Sequence, residues 1–276
     1  VARQRPLEHE RPHRRPSSTA PSPPVPLPTP FATRTVNCWL LEGSPLTLVD
    51  PGPEWEETAI ELDAALRMRG LTVEDVEQVV LTHQHLDHVG LAHRVRERSG
   101  APVVGHRLLR DFLVDLPESM RLEDDYQAEV MRLHGVPEER IQELYAVSEL
   151  HRRYGGAVTV DRLLDEDDVV VMGGRDYRVL YRSGHSPTDT IFVDEPGRVA
   201  IVGDHLIGKI SSNPVVHRPL DRPADVRDRR RALVAYLDSM RATAALDLTL
   251  LLPGHGNPVE DDHGALVADR LDFHER

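Results

Sequence analysis

Apolar positions along the chain fall into short runs that stop abruptly at polar or glycine-containing loops. Runs at 36–41 and 46–49, separated by Glu42-Gly43-Ser44-Pro45, predict a β-hairpin. Residues 56–69 place Ala59, Leu62 and Leu66 on one helical face and stop at Gly70. A strand at 79–82, a helix at 89–98 closed by Gly100 and a short strand at 102–104 follow. Over 107–155 the spacing becomes helical, with breaks expected at Pro117 and at Gly135-Val136-Pro137. Strand character returns at 169–172, 177–181, 190–193 and 199–202. A long helix is predicted over 224–246, with Leu233, Tyr236, Leu237, Met240 and Ala244 at helical spacing, and a last strand over 248–252. Strands dominate both halves and each half closes with helices, which predicts sheets covered by helices in layers.

Composition sharpens the domain picture. Nine of the 22 prolines lie in the first 30 residues, ending in Pro21-Ser-Pro-Pro-Val-Pro-Leu-Pro-Thr-Pro30. Such a stretch suits neither a helix nor a central strand, so 1–30 reads as a disordered or polyproline arm and 31–276 as one domain. A chain of 276 residues has ample length to bury a core. The single cysteine, Cys38, excludes an intramolecular disulfide framework and a thiolate zinc cluster, and reads as a core residue. No apolar run approaches the roughly 18 residues a bilayer span needs, so no membrane partner is expected. The opening residues lack a basic segment followed by an apolar run, which points to a cytoplasmic location.

The net charge of −13 is uneven: residues 1–30 carry +3, which leaves the rest at −16. So acidic a body repels a phosphate backbone, and nucleic acid is disfavoured as the main partner. The one dense basic run, 227–231, reads as a solvated helix face.

The chemistry concentrates in Thr82-His83-Gln84-His85-Leu86-Asp87-His88-Val89, directly after an apolar strand. Three imidazoles and a carboxylate within six residues are ligands that zinc and iron favour at open sites. A tight turn can aim alternate side chains at one point, and a helix start can turn the next two toward a second. Three further loops repeat the pattern just past a strand's carboxyl end: Ser183-Gly184-His185-Ser186-Pro187, Gly203-Asp204-His205 and Pro253-Gly254-His255-Gly256. Glycine beside each candidate ligand lets the backbone turn sharply. The remaining histidines considered, His9, His13, His93, His106, His134, His151, His263 and His274, read as surface or packing residues, with His205 a candidate support for Asp204.

These motifs resemble the metallo-β-lactamase superfamily, whose pattern is His-x-His-x-Asp-His followed by His, Asp and His in separate loops. All seven positions are filled, and Leu48-Val49-Asp50-Pro51-Gly52 resembles the family's early Asp-x-Gly turn. The resemblance implies an α+β fold, a four-layer αββα sandwich carrying 107–155 as a helical, lid-like insertion. It implies a first metal on His83, His85 and His185, and a second on Asp87, His88 and His255, with Asp204 bridging. The implied cofactor is two Zn2+ per chain, with Mn2+ as a substitute. A zinc-bound water has its pKa lowered to about 7, so hydroxide is available at neutral pH. Asp87 is then the carboxylate that orients the nucleophile.

Substrate class is less legible. Glyoxalase II-type thioesterases carry Gly-His-Thr-Pro-Gly-His, whereas this chain reads Gly184-His185-Ser186-Pro187-Thr188-Asp189. The reading is therefore a metallo-hydrolase of a small acyl substrate, a thioesterase, esterase or lactonase. A mononuclear Fe2+ oxygenase similar to persulfide dioxygenases is one alternative, and a phosphodiesterase or endoribonuclease another. Phe112, Leu113, Leu116, Met120, Tyr126, Met131, Leu144 and Tyr145 of the insertion are candidates for an acyl pocket, and Lys209, Ser212 and Asn213 for substrate contacts.

Overall fold

A computed structural model describes residues 23–227, 231–260 and 262–275. The first sheet comprises β1 (Val25–Pro28), β2 (Thr35–Leu41), β3 (Thr47–Val49), β4 (Gln78–Leu81), β5 (Val103–His106) and β6 (Arg162–Leu164), in that spatial order. The second comprises β7 (Val169–Met172), β8 (Arg175–Tyr181), β9 (Thr190–Asp194), β10 (Val199–Gly203), β11 (Leu250–Pro253) and β12 (Val259–Glu260), also in sequence order. Strands β3 to β6 run parallel to one another, as do β10 and β11; the other pairs are antiparallel.

Alternation along the strands builds the layers. On β2, Val36, Cys38 and Leu40 face the outer helical layer, while Trp39 and Leu41 face the second sheet. On β10, Val199 and Ile201 meet that inner layer from the other side, and Ala200 and Val202 face outward. A period of two on both sheets therefore makes three apolar layers: helix on sheet, sheet on sheet, and sheet on helix. The outer helices are α1 (Glu56–Arg67), α2 (Leu86–Val89) and α3 (Ala92–Ser99) on the first sheet. On the second they are α7 (Ala232–Ala244) and α8 (His263–Glu275). The αββα sandwich is thus present. Gly100 closes α3 in the left-handed conformation, as its position predicts.

Between β5 and β6 the chain forms α4 (Leu109–Leu113), α5 (Leu116–Leu133) and α6 (Glu138–His151). Gly135, at φ +77°, separates α5 from α6 at the expected break. Pro117 does not interrupt a helix; it sits in the first turn of α5, where a missing N–H costs no internal bond, behind the Asp115 cap.

Two expectations are corrected. The arm predicted over 1–30 is not wholly unstructured: Val25–Pro28 pairs with β2, and Val25 and Leu27 are buried. Alternating prolines hide a period-two pattern, and an edge strand tolerates them because it needs only half its N–H groups. Residues 1–22, with His9 and His13, lie outside the described residues. The helix predicted over 224–246 starts only at Ala232; of the basic run at 227–231, residues 228–230 lie outside the described residues. No helix among the described residues is long and apolar enough to cross a membrane.

Candidate metal centre

Strand ends from both sheets converge on one rim. Asp50 follows β3, residues 82–88 follow β4, His185 follows β8, Asp204 follows β10 and His255 follows β11. Helix α2 begins directly after His85, so Asp87 and His88 sit on its single turn and are redirected from the line of His83 and His85. Trp39 Nε1 and Asn37 Nδ2 both donate to the Pro253 carbonyl, at 3.2 and 3.0 Å, which ties the His255 loop of one sheet to β2 of the other.

Two donor groups result. In the first, His85 Nδ1 lies 3.1 Å from His83 Nε2 and 3.0 Å from His185 Nε2. In the second, His255 Nε2 lies 3.3 Å from Asp87 Oδ2, and His88 Nε2 lies 3.9 Å from Asp87 Oδ1. Asp204 stands between them: its Oδ2 is 3.3 Å from His255 Nε2 and 3.8 Å from His185 Nε2, and its Oδ1 is 3.5 Å from His88 Nε2. A β-carbon at Gly254 would fall 2.3 Å from Asp204 Oδ1 and 2.6 Å from His88 Cε1, so only glycine fits there.

The outer nitrogen of each imidazole has its own partner. His83 Nδ1 donates to Thr82 Oγ1 at 3.0 Å, and that hydroxyl donates to Asp50 Oδ2 at 2.6 Å. His88 Nδ1 donates to the same Asp50 oxygen at 2.9 Å. His185 Nδ1 donates to the Asn213 carbonyl at 3.0 Å and His255 Nδ1 to the Thr35 carbonyl at 2.6 Å. His85 Nε2 faces His217 Nε2 at 3.5 Å. Outer partners that accept protons turn the five inner nitrogens toward the centre, where each offers a lone pair when its ring is neutral.

Electrostatics agree with a cation site. Burial, and then the neighbouring histidines, holds His83 and His85 well below the usual histidine range, so they are neutral donors. Burial also opposes charge on His88 and His255, yet nearby carboxylates overcome it. Asp204, Asp87 and Asp50 raise His88, and the carboxylates of Asp204 and Asp87, each 3.3 Å from its Nε2, lift His255 to about 9. Buried His88 Nε2, Asp204 Oδ1 and His255 Nε2 have no hydrogen-bond partner. Convergent lone pairs, buried carboxylates and orphaned inward atoms make a donor set that fits divalent cations with nitrogen and oxygen preference. His83, His85 and His185 form one such group and Asp87, His88 and His255 another. Asp50, His83 and His88 also cluster, but there Asp50 meets the outer faces of the rings.

All seven residues expected from the sequence therefore meet at this rim. Of the proposed substrate contacts, Asn213 reaches it through its backbone carbonyl. Ser212 is buried, with its hydroxyl 3.1 Å from the His205 carbonyl and 3.2 Å from Tyr236 Oη, so it braces the loop. Asn213 contributes its carbonyl to His185, and Lys209 is exposed. His205 turns away from the centre, its Nε2 2.8 Å from Thr243 Oγ1 on α7, and burial pushes it down to about 3. Burial likewise drives the Cys38 thiol far above its ordinary range, which keeps it inert.

A cavity of about 220 Å³ opens beside His85, with Leu86, Phe112, Met120, Gln127, Val215 and His217 among its walls. Of the apolar insertion residues considered, Phe112 and Met120 line it. Leu113 and Leu116 join the core, Tyr126 and Tyr145 face a separate groove, Leu144 is exposed and Met131 lies outside the wall. Sequence reasoning missed His217 and Glu123. His217 lies in a coil with no strand before it, whereas Glu123 had a readable signal, a carboxylate on the buried stripe of an amphipathic helix.

A four-layer sandwich with a histidine–aspartate rim at its strand ends defines a class of metal-handling enzymes. Comparison with known proteins agrees: residues 32–255 match the Metallo-beta-lactamase superfamily. The chain is 31% identical to the "Probable metallo-hydrolase YqjP" of Bacillus subtilis (strain 168) over 255 residues, 89% of this chain and 74% of that protein. It is 26% identical to the "Hydroxyacylglutathione hydrolase GloC" of Haemophilus influenzae over 177 residues, 62% of this chain and 66% of that protein. Among solved structures, a metallo-beta-lactamase family protein from Thermus thermophilus superposes with a TM-score of 0.73 at 27% identity, covering 91% of this chain and 78% of that one. The chain belongs to the metallo-beta-lactamase superfamily, and with it to the metal-dependent hydrolases.

Proposed function

We propose that this protein is a dinuclear metallo-hydrolase of a small acyl substrate, a thioester, ester or lactone, with zinc as its metal. The observation that carries the reading is the position of Asp204, whose one carboxylate lies within 3.8 Å of a nitrogen from each donor group. Two cations held side by side need such a shared anion to offset their repulsion. His83, His85 and His185 would hold one ion, and Asp87, His88 and His255 the other. When bound, these ions supply Lewis acidity that polarises the scissile carbonyl and acidifies water. Asp87, the most exposed of the three carboxylates at 16% of its side chain, can accept a hydrogen bond from the attacking water and orient it. Leu86, Phe112, Met120 and Val215 give the cavity an apolar wall suited to an acyl chain. The hydroxyacylglutathione hydrolase among the relatives supports the acyl class.

Protein purified without chelators is expected to contain two zinc or manganese ions per chain and to hydrolyse members of a panel of acyl thioesters, esters and lactones. His83→Ala should lose turnover and one metal equivalent together while its circular dichroism is kept. Full activity in that variant would sink the assignment. One iron per chain with oxygen uptake on a persulfide would replace the reading with an oxygenase, and cleavage confined to RNA would replace it with a nuclease.

A further inference from the structure

The segment that leaves β10 after Asp204 returns to the metal rim twice. Asn213 offers its carbonyl to His185, and His217 places Nε2 against His85. The second contact is held by α5. Glu123 Oε1 accepts from His217 Nδ1 at 3.0 Å, and its two oxygens accept from the Arg218 amide at 3.0 and 3.1 Å. One turn on, Gln127 Nε2 donates to the Val216 carbonyl at 3.1 Å. Glu123 and His217 are largely buried, each side chain 9% exposed.

The proton positions along this line are determined by its first member. A carboxylate only accepts, so His217 Nδ1 carries the hydrogen, and in the neutral ring His217 Nε2 presents a lone pair. His85 Nε2 must then carry a hydrogen, which leaves the lone pair on His85 Nδ1, the atom facing His83 and His185. That is the only tautomer of His85 that can ligate a cation from this position.

We propose that Glu123 and His217 are positioning residues for the first metal group, and that through them helix α5 of the insertion governs how tightly that group holds its ion. The inference rests on the metal reading above but adds residues outside the metal motifs. Because coupling is reciprocal, a bound ion also steadies residues 213–218 against α5, the wall of the cavity. Loading the ion and closing that wall are then one event.

The test is a Zn2+ titration of the full chain and its variants by competition with a chromophoric chelator, with Co2+ absorption spectra in parallel. His217→Ala is expected to weaken one of the two ions by roughly 10–100-fold and to shift the Co2+ bands. Glu123→Gln, whose carbonyl still accepts from His217, should weaken it less. In the parent, Zn2+ should slow amide exchange over 213–218; in His217→Ala it should not. Should Glu123→Ala fail to fold, His217→Ala and Glu123→Gln decide the matter. Parent-like affinity, spectrum and exchange in His217→Ala would overturn the inference while leaving the metal reading in place. Equal weakening of both ions would also overturn it, since it would mark a general structural loss. A parent chain that binds no Zn2+ would overturn the metal reading and this inference together.

Discussion

Asp50 stands behind both halves of the metal centre. Its Oδ2 accepts from His88 Nδ1 directly and, through Thr82 Oγ1, serves His83, while its Oδ1 accepts from the Thr82 amide at 2.9 Å. The backbone at Asp50 has φ +54°, a conformation that asparagine also tolerates. Asp50→Asn therefore removes the charge while sparing the turn, and it is expected to weaken metal binding by roughly 10–100-fold. Chelator competition checks this; unchanged affinity would mean that Thr82 and the peptide groups orient the rings unaided. At this scale the seven ligand candidates were readable because each follows an apolar strand and, outside the 82–89 cluster, sits beside glycine. His217 was not, because its partners Glu123 and His85 lie 94 and 132 residues away in the chain.

Among the elements, β1 carries the clearest consequence. Leu27 is fully buried between the first sheet's β1 and the outer helices, opposite Val36 of β2. Leu27→Ala should cost about 2–5 kcal/mol in urea unfolding, the range for a buried leucine truncation. A chain starting at residue 25 and one starting at residue 29 differ by this strand alone, so the shorter one should unfold at markedly lower urea. Equal midpoints would show that β1 adds nothing to the core. The hairpin, the β4 loop and the helices of the insertion were legible from periodicity and glycine placement. Short edge strands β6 and β12 and the true start of α7 were not, since two or three residues carry too little pattern to be read.

For the whole molecule, the centre is a charge problem shared by two sheets. Asp50, Asp87 and Asp204 gather where strands of both sheets end, a field that bound cations would offset. Removing metal should lower Tm by an amount that Zn2+ restores, since an ion present at a thousandfold over its Kd contributes about 4 kcal/mol. Calorimetry with and without chelator checks this; an unmoved Tm would place the ions elsewhere. Local spacing by itself determined the layered class, the strand-end grammar and the identity of the seven ligand candidates, because alternation, glycine turns and histidine spacing act over a few residues. Only the tertiary structure decided which nitrogen of each ring faces inward, that Ser212 and His205 turn away, and that α5 reaches the centre through His217. Those outcomes depend on partners far apart in the chain, and hydrogen-bond geometry between them exists only once the sheets and the insertion have packed.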